Sequence, residues 1–203
     1  MAKRLSAQDW VDFALRTLVH DGFDALKADV LARKLGVSRG SFYWHFADIA
    51  VFHARVIERW KQAATEAVIA DIEQFEAREA RLAELLRRAF GEGAALEVRM
   101  RAWADSNAVA ARALDDIERR RRAYIEGLLV ELGVAQPQAA TRAQLLYWTY
   151  LGAAFSRSRL TGTRLDGTVA ALMRLALGGR PGKRDTAAGG RTRAAVHRSG
   201  RQP

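Results

Sequence analysis

Lys34 to Phe46 reads KLGVSRGSFYWHF and places four aromatic rings and a histidine in consecutive positions, Phe42-Tyr43-Trp44-His45-Phe46. In a helix, successive side chains turn by about 100°, so five neighbours cannot all face one core. Some must face a partner. With Ser38 as N-cap, Phe42 and Phe46 lie four apart and share an inward face against Leu31, Leu35 and Phe52. Tyr43 and Trp44 then project to the sides with His45 beyond them, and Arg39, Gly40 and Ser41 form the first turn.

The flanks make this helix the second of a pair. A short helix is expected over about Lys27–Leu35, with Val30, Leu31, the stem of Lys34 and Leu35 inward. Gly36-Val37-Ser38 then breaks the pattern, Gly36 as a left-handed C-cap. Two short helices joined by three or four residues with a glycine form a helix-turn-helix. Upstream, Ser6 with Asp9 three residues on reads as a capped start, Trp10, Phe13, Ala14 and Leu18 as the apolar face, and Gly22 as the stop. Downstream, Ile49, Phe52, Val56, Ile57, Trp60, Ala64 and Val68 recur at threes and fours, so one long helix is expected from about Asp48 to Ile72.

The exposed end of the Ser38 helix has the chemistry of a reader of phosphates and base edges. Amides of a first turn favour anions, arginine pairs bidentately with guanine, and Gly40 allows close backbone approach. Tyr43 and His45 can donate to phosphates, while Trp44 can pack on sugar or a thymine methyl. Ser38, Arg39, Gly40, Ser41, Tyr43, Trp44 and His45 are therefore candidate contacts to double-stranded DNA.

The stretch DGFDALKADVLARKLGVSRGSFYWHFADIAVF, Asp21 to Phe52, resembles the DNA-binding segment of TetR-family transcriptional repressors. Gly22, Phe23, Ala32, Leu35, Gly36, Val37, Ser38, Gly40, Phe42, Tyr43, His45 and Phe46 stand where that pattern has its usual residue types. The resemblance covers about Ser6 to Trp60 by motif and implies a dimeric, all-helical repressor. Such a protein has an N-terminal three-helix reader and a larger helical domain for ligand binding and dimerisation. The second helix of the family starts with a small hydroxyl residue, whereas Lys27 followed by Ala28 stands here; both join the candidate DNA contacts. Ile49 stands where the family usually has a phosphate-anchoring lysine.

Charge is consistent with a polyanionic partner but unevenly placed. Of the formal +10, from 33 Lys+Arg and 23 Asp+Glu, +6 lies in residues 178–203, leaving +4 on residues 1–177. That Gly- and Arg-rich tail has little to bury and is expected to be disordered. The expected organisation is a helix-turn-helix domain over 1–47, a helical effector and dimerisation domain over 48–177, and a basic tail over 178–203.

The chain has no cysteine, which rules out thiolate metal sites and suits a reducing cytoplasm. MAKRLSAQDW has no apolar run behind its basic residues, and no uninterrupted apolar stretch is long enough to span a bilayer. His20, His45, His53 and His197 show no metal-ligand spacing, and no cofactor is implied. With no phosphate-binding glycine loop, carboxylate–histidine set or nucleophile elbow, an enzyme is not expected. The competing reading is a sequence-independent DNA-binding or helical adaptor protein.

Further helices are expected near Arg78–Phe90, Ala94–Ala104, Ala108–Leu132, Pro137–Leu160 and Asp166–Leu177. Among them, Phe90, Met100, Trp103, Tyr124 and Tyr147 are candidates to line an effector pocket. In Asp115–Arg122, acids precede arginines by three and four residues, as on a solvated helix face. LLYWTYLGAAF, Leu145 to Phe155, is apolar on two faces. Leu146, Tyr147, Tyr150 and Ala154 are assigned to the interior; Leu145, Trp148, Gly152 and Phe155 are assigned to a subunit contact, where Gly152 permits close helix approach.

Overall fold

The computed structural model describes residues 5–91, 94–156 and 159–178, and among these residues it is all-helical. The basic tail beyond Gly178 lies outside the described residues. Helix α1, Ala7–Asp21, opens with a reciprocal cap: the Asp9 amide donates to Ser6 Oγ at 3.2 Å, and the Ser6 amide donates to Asp9 Oδ2 at 2.8 Å. It buries Trp10, Ala14 and Leu18, together with Val11 and Thr17, whereas Phe13 is only partly covered. Gly22, at φ +80°, ends it as expected.

Helix α2, Ala28–Leu35, closes on Gly36 in the left-handed region at φ +69°, where the Val37 amide donates to the Ala32 carbonyl at 3.0 Å. Ala28, Leu31 and Ala32 are its buried residues. Lys34 is exposed instead of laying its stem inward, because its ammonium reaches Asp21 at 3.1 Å. Helix α3, Arg39–Tyr43, is short; Ser38 caps it through extended backbone, without the side-chain bond expected of its hydroxyl. Phe42 and Phe46 are buried as expected, and Phe42 meets Trp10 edge-on at 5.5 Å and Phe52 at 5.0 Å.

The long helix that follows is interrupted. Helix α4, Ile49–Lys61, starts at Asp48, whose carboxylate accepts from the Val51 amide at 2.8 Å. A π segment, Gln62–Glu66, then leads into α5, Ala67–Glu73. The wider turn inserts one residue into the helical repeat. The buried positions therefore run Trp60, Thr65, Ile69, Ile72, not through Ala64 and Val68 as even spacing predicts.

The remaining helices are α6 Arg78–Gly91, α7 Ala95–Ala104, α8 Ala108–Glu131, α9 Gln136–Phe155 and α10 Gly162–Leu177. Helix α9 ends earlier than expected, and α10 starts after Thr161, one turn before Asp166. Helices α6 and α10 pack so closely that a Cβ on Gly91 would lie 2.7 Å from Leu165 Cδ2.

Two buried clusters hold the chain together. The first joins α1 to α4 with Met100, Trp103, Ala110 and Ile117 from α7 and α8; the second joins α6, the later half of α8, α9 and α10. Phe52, Val56, Ile57 and Trp60 belong to the first cluster, so the boundary expected at 47/48 cuts across a continuous core.

Candidate nucleic-acid interface and internal cavity

At the tip of the molecule, α3 presents what its core does not use. Ser38, Arg39 and Gly40 are exposed, Tyr43 is 45% and Trp44 81% exposed, and Ser41 and His45 are half-covered. Phe42 beneath them fixes the helix, so the side chains above it are free to meet a partner. Arg39 Nη2 donates to the Tyr43 hydroxyl at 3.1 Å, and its guanidinium lies 5.5 Å from that ring's centre. The pair is thus pre-set on one face, one turn apart. Lys27 is exposed at the start of α2. Ala28, also expected there, has a side chain that is 6% exposed and packs in the first cluster, which leaves only its backbone for a contact. Ile49 is partly exposed beside this surface and offers no charge.

A cavity of about 350 Å³ lies among α4, the π segment, α5, α6, α7, α8 and α9. Its wall is mostly apolar, with Trp60, Ile69, Leu86, Ile125 and Leu146. Of the expected pocket residues, Phe90, Tyr124 and Tyr147 line it. Met100 and Trp103 do not. Both are 1% exposed in the first cluster, where Trp103 stacks on Phe23 at 4.7 Å and meets the His53 ring edge-on at 5.3 Å. They seal the reading helices onto α7.

One end of the cavity carries a buried polar network that a local reading of Asp115–Arg122 misses. Asp116 and Arg119 do pair on a solvated face. Arg121, however, turns inward: Nη1 donates to Glu97 Oε2 at 2.9 Å, Nε to Thr65 Oγ1 at 3.0 Å and Nη2 to the Ala64 carbonyl at 3.0 Å. Glu97, 4% exposed, is held on its other oxygen by Arg101 at 3.0 Å. Arg101 also reaches Glu118 at 2.8 Å and the Tyr147 hydroxyl at 2.9 Å. Burial opposes charge on Arg121, but the adjacent Glu97 carboxylate prevails and the Arg121 pKa is raised. Burial and Glu97 push the Tyr147 hydroxyl up to about 12 and raise that of Tyr150 as well.

The signal for Arg121 was present, one level up from local charge pairing. It shares a helix face with Ile117, Tyr124, Ile125 and Leu128, so a charge sits inside an apolar stripe. Glu97, Thr65, Tyr150 and Trp60 also line the cavity, beyond the expected pocket residues.

On α9, Leu145 is 53%, Trp148 60% and Phe155 60% exposed, and an added Cβ on Gly152 would meet nothing within 4 Å. Leu175 of α10 is also open. Leu146 and Tyr147 point inward, as assigned. Among the described residues there is no cluster of three or more metal-ligating side chains, and no helix is long and apolar enough to cross a membrane.

The second helix of a helix-turn-helix stands exposed and is joined through a shared core to a helical body that holds a cavity. Residues 11–51 match the family model of the bacterial regulatory proteins of the tetR family, in agreement with the resemblance of Asp21–Phe52. Solved structures share the fold over most of their length. A transcriptional regulator from Rhodococcus sp. Rha1 superposes with a TM-score of 0.70 at 16% identity, covering 85% of this chain and 96% of that one. The regulator FadR from Bacillus subtilis, in complex with stearoyl-CoA, gives 0.63 at 15% identity, covering 86% and 99%. A proposed TetR-family regulator from Mesorhizobium loti gives 0.62 at 20% identity, covering 84% and 94%. No curated protein matches.

Proposed function

We propose that this chain is a transcriptional regulator, acting as a repressor, that binds a near-palindromic operator as a homodimer and lets go when a small, largely apolar effector enters the cavity. The observation that carries this reading is the continuity of one element. Helix α4 packs Phe52 and Val56 under the reading helix, and Trp60 and the π segment line the cavity. A ligand that prefers one arrangement of that wall shifts the reading helices by its differential affinity for the two states.

In this reading Arg39 reads a base edge, and Tyr43, Trp44, His45, Lys27, Ser38, Gly40, Ser41 and the Ala28 backbone position the duplex. The open face of Leu145, Trp148, Gly152 and Phe155 pairs two copies, so that two reading helices meet half-sites at a fixed spacing. The basic tail adds nonspecific attraction to phosphates, and the protein works in the cytoplasm.

Repeated selection of bound DNA from a random pool tests the reading. The expected result is convergence on a near-palindrome; a pool that never converges would favour a sequence-independent DNA-binding or adaptor protein.

A further inference from the structure

We propose that the cavity selects an uncharged effector, a compact apolar body bearing one hydrogen-bond acceptor such as a carbonyl, and rejects carboxylates and ammonium ions of the same skeleton. This rests on the reading of the cavity as an effector site and adds the chemistry of what enters it. The polar end of the wall is already neutral. Arg121 and Glu97 on the wall pair at 2.9 Å, and behind them Arg101 reaches Glu97 at 3.0 Å and Glu118 at 2.8 Å, so two guanidiniums are matched by two carboxylates in one chain of contacts. Arg88, also on the wall, is paired with Glu84 at 2.9 Å and Asp71 at 3.0 Å.

A carboxylate placed here would meet an arginine whose charge Glu97 has matched, and would add an uncompensated negative charge beside Glu97. An ammonium would have to displace Arg121 or Arg101 to gain a partner. Either ion gives up its hydration without a counter-charge, and a buried unpaired charge costs more than a neutral group of the same shape.

Hydrogen-bond donors, by contrast, remain on offer. A guanidinium has five N–H groups, and those of Arg121 make three bonds, to Thr65, Glu97 and Ala64. The Tyr124 hydroxyl, also on the cavity wall, is buried without a hydrogen-bond partner among the described residues. A buried polar group left unsatisfied is costly, so a neutral acceptor that takes one of these donors satisfies it without bringing an unmatched charge into the site. The volume of about 350 Å³ lies at the small end for ligand sites and suits one substituted ring, not a long acyl chain with a nucleotide head.

The test uses three probes of one shape: 4-butylbenzamide, 4-butylbenzoate and 4-butylbenzylammonium, titrated calorimetrically into the full-length protein at neutral pH. The amide is expected to bind at least tenfold more tightly than either ion. In Glu97→Gln, where Arg121 loses its counter-charge, the benzoate should gain at least tenfold while the amide changes little. Equal or tighter binding of an ion by the unaltered protein, or no binding of the amide, would overturn the proposal, even if Glu97→Gln fails to fold. DNA release is measured separately: an amide that binds selectively yet leaves DNA bound would refute the regulatory reading and leave the neutral-ligand inference standing.

Discussion

Arg121 and Thr65, fifty-six residues apart, are joined at 3.0 Å where the helix leaving the reading domain widens into a π turn. The bond explains why a threonine 1% exposed occupies an inward position there. It also ties the register of α4 and α5 to the charged end of the cavity.

Thr65→Val keeps the shape and removes the acceptor, leaving the Arg121 Nε–H without its partner. A loss of about 1–3 kcal/mol is expected, from the price of an unsatisfied buried donor. Urea unfolding measures it. An unchanged midpoint would show that the bond does not hold the π turn.

Trp103→Ala is expected to disturb DNA binding through the fold. Trp103 stacks on Phe23 between α7 and the reading helices and has no place on the cavity wall. Truncating such a side chain costs about 3–5 kcal/mol, and with the junction loosened, operator affinity should fall as well. Full stability in thermal unfolding would contradict this placement.

Acid should weaken the same junction. The His53 Nε2–H donates to the Leu26 carbonyl at 2.9 Å, and its ring stands edge-on to the stacked Phe23 and Trp103 rings. Burial holds its pKa below the ordinary 6.5, with the Leu26 bond in partial opposition. The unfolded chain therefore takes up the proton first. The contribution is fully present above about 6.5 and is lost as pH falls below it towards the depressed folded value. His53→Gln should flatten the stability profile in that window; an unaltered slope would place the dependence elsewhere.

Gly152→Trp tests the pairing of copies. The position is exposed and an added Cβ there meets nothing within 4 Å, so folding should survive. Sedimentation should then show monomers with weak half-site binding. A variant that remains dimeric would refute the assignment of this face.

The ends of the early helices were legible because their signals are local: the Ser6–Asp9 cap, the left-handed Gly36, and Phe42 with Phe46 one turn apart. The wall of the cavity was not, and for a physical reason in each case. Periodicity carries Trp60 to Ala64 only if the helix keeps its pitch, and the π turn changes it. Asp115–Arg122 looks solvated because the partners of Arg121, namely Glu97, Thr65 and Ala64, are 24 or more residues away. Met100 and Trp103 have the residue types of a pocket, yet an aromatic side chain seals a junction between helices as readily as it lines a cavity.

In the proposed function Arg39, set against Tyr43 on the face of α3, reads sequence in DNA. The most direct test is a titration of the selected operator against random-sequence competitor with the unaltered protein, Arg39→Ala and Tyr43→Phe. The unaltered protein should prefer the operator by about a thousandfold or more. Arg39→Ala should lose roughly tenfold to a hundredfold of that preference, concentrated at one base pair per half-site, whereas Tyr43→Phe should weaken binding to both DNAs alike. Equal loss on operator and competitor for Arg39→Ala, or no preference in the unaltered protein, would contradict the claim.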